Sequence, residues 1–146
     1  MRFLGNITAK SDSKGRVFLP SVMRKVLQAN GEERLVMRKD IFQDCLVLFP
    51  ESVWNEKVDE LRSRLNYFNR THQQVMRQFV ADTELLTLDG SGRILINKHY
   101  MEKAGINSEV HFIGVNDTIE IWAAEKMEQP FMSNEDFGQT LEELMK

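Results

Sequence analysis

Two short stretches of the chain carry residue types suited to holding an anion. The segment DSKGR, Asp12 to Arg16, runs into VFLP, and DGSGR, Asp89 to Arg93, runs into ILIN. In the first, the Asp side chain can accept backbone N–H bonds from the turn, and Gly15 can take the positive φ that closes it, so the flanking segments are expected to form a hairpin. A two-stranded ribbon fits the major groove of duplex DNA, where a guanidinium can grip guanine O6 and N7 together. Arg16 at the first tip suits that contact, with Lys10 and Lys14 available to hold phosphates and set the register. Asp12 and Arg16 could instead clip the hairpin as an ion pair. An exposed pair adds little stability, and Asp12 could also aim Arg16 at a base edge, so the two roles are compatible.

No competing chemistry is written in the chain. His72, His99 and His111 fall in three different elements without metal-ligand spacing, and Cys45 has no C-x-x-C partner. DGSGR lacks the Gly-Lys-Ser/Thr of a phosphate-cradling loop, and no Gly-x-Ser-x-Gly elbow occurs. The expectation is a non-enzyme without metal, cofactor or small-molecule substrate. Cys45, flanked by apolar residues in DCLVLF, reads as a buried thiol in a strand.

The elements that must position the two turns repeat with them. At an offset of 77, Asp12, Gly15 and Arg16 fall on Asp89, Gly92 and Arg93, and Val17 to Leu19 fall on Ile94 to Ile96. SVMRKVLQANGEERLVM followed by CLVLF is echoed by KHYMEKAGINSEVHFIGV followed by TIEIW, with four fewer residues in the second copy. Each unit reads as strand, turn, strand, short helix and a second pair of strands. Pro20 is expected at the first helical position, and Asn97 replaces it in the second copy as a weaker start signal.

Between the copies, Trp54, Val58, Leu61, Leu65 and Phe68 recur at helical spacing. Thr71 to Gln74 resembles a capping box that opens a second helix with Val75, Met76, Phe79 and Val80 on its apolar face. The chain is therefore divided into a first repeat (1–50), a helical hairpin spacer (51–81), a second repeat (82–125) and a partly helical C-terminal tail (126–146). Ser133 to Asp136 could cap a tail helix with little to bury beyond Phe137, Leu141, Leu144 and Met145. One repeat alone cannot close a core. Two can interleave, and the expected fold is α+β, a pseudo-twofold β-barrel built from both repeats.

The composition fits one ordinary folded domain, 146 residues with 42% hydrophobic and 28% charged. Apolar runs are far too short to cross a bilayer, and MRFLGNIT lacks a signal-peptide core, so the expected location is the cytosol without membrane attachment. The net charge of −3 hides an asymmetry: residues 1–25 carry +5, 26–81 balance, and 82–146 carry −8. The basic end is the one holding the first turn, as a polyanion partner requires.

The stretches FLGNITAKSDSKGRVFLPSVMRKVL, CLVLFPESVWNEKV and LDGSGRILINKHYMEKAGINSEVHFIGVNDTIEIW resemble the MraZ family, within the wider AbrB and SpoVT class of swapped-hairpin barrels. Family members are bacterial transcriptional regulators that form rings and bind short repeated boxes upstream of the cell-division and cell-wall gene cluster. The resemblance implies a swapped-hairpin barrel, double-stranded DNA as partner, a ring-shaped homo-oligomer acting as a repressor, and a nucleoid-associated location. It implicates Asp12 and Arg16, then Asp89 and Arg93, as the DNA-facing motif. Met101 stands where the second copy would echo Arg24, and Ser91 stands opposite Lys14, so the second turn is expected to be poorer in cations. One tip binds weakly alone, whereas several tethered tips raise avidity by roughly 10²–10⁴. The alternative is an antitoxin-like or scaffold protein acting through protein-protein contacts.

Overall fold

The computed structural model describes residues 1–129 and 131–146; Pro130, inside the expected tail, lies outside the described residues. The first repeat contributes β1 (Asn6–Lys10), β2 (Arg16–Phe18), α1 (Ser21–Ala29), β3 (Arg34–Lys39) and β4 (Leu46–Pro50). Helices α2 (Glu51–Arg64) and α3 (Arg70–Ala81) follow. The second repeat gives β5 (Thr83–Thr87), β6 (Arg93–Leu95), α4 (Lys98–Lys103), β7 (Glu109–Val115) and β8 (Thr118–Ala123). A 3-10 turn (Ala124–Glu128) and α5 (Asn134–Leu144) complete the chain.

The fold is α+β with pseudo-twofold symmetry. Six strands form an antiparallel sheet in the order β1-β7-β8-β4-β3-β5, and β2 pairs with β6 as a separate ribbon. Exchanging the repeats reverses that order onto itself. Each first strand pairs with the third strand of the other repeat, Thr8 opposite His111 and Leu85 opposite Val36. The pseudo-axis passes between β4 and β8 at Val47 and Glu120, and through the ribbon at Val17 and Ile94. The six-stranded sheet does not close on itself; β2 lies against β1 and β6 against β5, so the ribbon bridges its two edges.

This corrects the expected pairing of each turn's own flanking strands. β1 gives its ladder to β7 and β2 gives its ladder to β6, so across the first turn the link is Asp12 N–H to the Arg16 carbonyl, 2.8 Å. Local turn chemistry sets the reversal, and the long-range partner takes the strand.

The core lies between sheet and ribbon. Leu35, Met37, Leu46, Leu48, Phe112, Ile119 and Ile121 from the sheet meet Val17, Ile94 and Ile96, all buried. Strand side chains alternate, so Val36 and Val47 face the opposite side, where α2 covers β3 and β4 with buried Val53 and Trp54. Trp54 stacks on Phe79 of α3 with centroids 5.1 Å apart and meets Phe49 edge-on at 5.2 Å. Arg38 lies 5.1 Å from the Phe79 ring centroid, its charge attracted to the ring face. Burial of β4 on both faces explains the continuous run CLVLF. Cys45 is buried as expected but lies in the bend just before β4 and not in a strand; its thiol is pushed up to about 12, by burial first and then by Glu120 and Asp40. A thiol reagent at neutral pH is expected to leave Cys45 unmodified until the protein is unfolded; rapid labelling of the native protein would contradict that burial.

The local signals hold with shifts. Pro20 is the residue preceding α1, which begins at Ser21. Asn97 caps α4 by accepting from His99 N–H at 2.9 Å, a firmer start than expected. The cap of α3 is Asn69, accepting from His72 N–H at 3.1 Å, in place of Thr71. Leu65 is extended, ending α2, so Phe68 leaves the expected stripe and is 90% exposed. Ser133 caps α5 by accepting from Asp136 N–H at 3.1 Å, and every residue of that helix is exposed. Among the described residues no helix is long and apolar enough to cross a membrane.

Candidate nucleic-acid interface

The two turns are built alike. Asp12 Oδ1 accepts from Lys14 N–H at 2.9 Å and from Arg16 N–H at 3.0 Å, while its Oδ2 accepts from Arg16 Nε–H at 2.7 Å. Asp89 Oδ1 accepts from Ser91 and Arg93 N–H, each at 2.9 Å, and its Oδ2 from Arg93 Nε–H at 2.8 Å. The backbone N–H of Arg16 is the largest influence on Asp12 and, with the Arg16 side chain and Lys14 N–H, holds it below its usual carboxyl range against the opposing desolvation; Asp89 is lowered in the same way, by Arg93 N–H first. Both carboxylates are therefore ionised at neutral pH.

The glycines lock the turns to the opposite repeat. Gly15 has φ +88° and Gly92 φ +86°, the left-handed region that a side chain resists. The Gly15 carbonyl accepts from Ile96 N–H at 2.9 Å, and the Gly92 carbonyl from Leu19 N–H at 3.1 Å. Each turn is thus pinned beyond the end of the other repeat's ribbon strand, which brings both turns to one surface. Arg93 Nη1 lies 4.0 Å from Asp12 Oδ2.

Alternation then decides what that surface displays. Val17 and Ile94 point into the core, so Arg16, Phe18, Arg93 and Leu95 point out. Register puts Arg16 opposite Leu95 and Phe18 opposite Arg93, with the Arg93 guanidinium 5.7 Å from the Phe18 ring centroid. Phe18 and Leu95 are 55% and 52% exposed. Each arginine is steered by its own aspartate through Nε; among the described residues the Arg16 terminal nitrogens have no hydrogen-bond partner. A guanidinium held by Nε keeps its two-pronged end open for a planar acceptor pair.

Of the expected site residues, Asp12, Arg16, Asp89 and Arg93 come together in one half-exposed cluster. Lys14 stands exposed on the first turn, lining a cleft shared with Lys98 of α4. Lys10 lies at the end of β1, exposed and in register with Glu109. The apolar members Phe18 and Leu95 were missed, although the period-two alternation of Arg16, Val17, Phe18 and Leu19 carries that signal. Among the described residues, no group of three metal-ligating side chains stands together.

The model of the family described as "MraZ protein, putative antitoxin-like" matches the chain twice, over residues 3–78 and 79–145. A protein of Bacteroides fragilis named transcriptional regulator MraZ is 60% identical over 146 residues, covering 100% of this chain and 92% of the relative. Its namesake in Bacteroides thetaiotaomicron is 60% identical over 145 residues, covering 99% of this chain and 93% of the relative. The one in Christiangramia forsetii is 32% identical over 146 residues, covering 99% and 94%.

Proposed function

Because the chain belongs to the MraZ family, we propose that it is a DNA-binding transcriptional regulator that reads duplex DNA with the composite face of both Asp-x-x-Gly-Arg turns. The observation that carries this reading is the pair of arginines, each clamped through Nε by its own aspartate on one exposed face. Their forked ends take guanine O6 and N7 in the major groove, and Phe18 and Leu95 beside them suit thymine methyl groups. Lys14 and Lys10 hold phosphates.

The finer reading follows the family resemblance. The chain acts as a repressor of the division and cell-wall gene cluster, binds repeated promoter boxes as a ring-shaped homo-oligomer, and works in the cytoplasm on the nucleoid. Residues 1–50 and 82–125 are its DNA-binding repeats, 51–81 a spacer and 126–146 a tail. Self-association is supported by apolar residues left in solvent on the helical hairpin, Tyr67, Phe68, Val75 and Val80. Avidity then supplies what a single face lacks.

A mobility-shift titration on the duplex upstream of the chain's own gene tests the reading. Retardation at moderate salt, stronger than for an unrelated duplex of equal length, is expected. Equal retardation of both duplexes, or none, contradicts it. Gel filtration is expected to give a particle several times the 17.0 kDa chain; a monomer that binds one box tightly would remove the ring from the account.

A second reading rests on α5, whose exposed Phe137, Leu141 and Leu144 lie among the acids Glu135, Asp136, Glu142 and Glu143. An acidic amphipathic helix of this kind suits a protein partner, as an antitoxin-like role requires. It predicts a partner retained by the full chain and lost on Leu141→Asp, with DNA retardation unchanged.

A further inference from the structure

The repeats differ where the structure brings them closest. Around the first turn stand Lys14 and Lys98. Their counterparts at the 77-residue offset around the second turn are Ser91 and Ser21, neither of them charged. Each turn is also backed by a helix of the other repeat. Met101 of α4 packs beneath Gly15, its Cε 3.6 Å from where a Cβ would stand, whereas Arg24 of α1 lies so close to Gly92 that a Cβ there would overlap its guanidinium. The crossed connection therefore carries a cation from the first repeat to the second turn.

The Nε of Arg24 is buried without a hydrogen-bond partner, and among the described residues no carboxylate pairs with it. Nε is closed off from solvent, so the terminal nitrogens, which are not among the buried unsatisfied atoms, are the part of Arg24 that an external acceptor can reach. Its guanidinium lies against Gly92, within the second turn.

We propose that Arg24 is the phosphate-holding residue of the second turn, supplying across the repeats the charge that Lys14 and Lys98 supply beside the first. This rests on the DNA-binding reading above. Each face then has a phosphate-holding cation on either side of its pseudo-axis, and both turns engage the duplex. The second turn, read in isolation, lacks a cation that the fold restores.

The test is the salt dependence of binding to the duplex upstream of the chain's own gene, with full-length protein. Arg24→Met, which copies the residue present at Met101, is expected to reduce the magnitude of the log–log salt slope by about 0.9 for each face engaged. Arg24→Lys is expected to keep the wild-type slope. A wild-type slope in Arg24→Met overturns the proposal, whether affinity is unchanged or reduced, since reduced affinity alone means that Arg24 only props the turn. If Arg24→Met loses its cooperative melting transition, Arg24→Gln is read with the same two outcomes. Arg16→Ala, run alongside, separates the premise: if it binds as wild type does, the DNA-binding face is misassigned and the proposal falls with it.

Discussion

Gly15→Ala costs the protein far more stability than Gly92→Ala. Both glycines sit at positive φ, 88° and 86°, where a Cβ costs about 1–2 kcal/mol by backbone sterics alone. The neighbours then separate them. A Cβ on Gly15 would stand 2.5 Å from the Ile96 carbonyl oxygen, a backbone atom fixed by the ribbon, while one on Gly92 meets the Arg24 side chain, which can swing away. Gly15→Ala must therefore also disturb the bond from Ile96 N–H to the Gly15 carbonyl, 2.9 Å, which ties the first turn to the second repeat. We expect a loss of about 3–5 kcal/mol for Gly15→Ala and about 1–2 kcal/mol for Gly92→Ala in urea unfolding. Equal losses would mean that the turns are not locked across the repeats as described.

Arg16→Ala and Arg93→Ala are each expected to weaken binding to the upstream duplex by at least about fivefold, the lower end of what one bidentate base contact contributes. Loss at several faces of one particle compounds the effect. Circular dichroism and particle size should stay unchanged, because both side chains point away from the core. Arg16→Lys should not restore binding, since an ammonium cannot present a planar fork. The double variant is expected to lose less than the two single losses combined, because Arg93 Nη1 stands 4.0 Å from the Asp12 carboxylate that steers Arg16. Wild-type binding by Arg93→Ala would restrict DNA reading to the first turn.

The repeat at offset 77, the two turns and the helical segment between the copies are legible in the sequence because each is a local signal: an Asp accepting within its own turn, a glycine at its close, an apolar period of 3.6. Pairing is not local. Nothing within Asn6–Lys10 states that its partner is Glu109–Val115 and not the strand just past the turn, because the choice is made by closing one core over both repeats. The same holds for Arg24. On the sequence it belongs to the first repeat and has no local link to the second turn, and only the crossed ribbon carries it there. Phe18 and Leu95 read as core from their type alone, and their exposure follows from an alternation that begins at the arginine. The apolar stripe of α2 extends on paper to Phe68, but the backbone turns extended at Leu65 and leaves that ring in solvent.

Hydrogen exchange of the full-length protein with and without the upstream duplex is the most direct check that two turns from two repeats make one reading surface. Slowed exchange in both 12–16 and 89–93, with α2 and α3 unchanged by DNA, is the expected result. Protection confined to one turn, or appearing on the helical hairpin while both turns exchange as before, would contradict it.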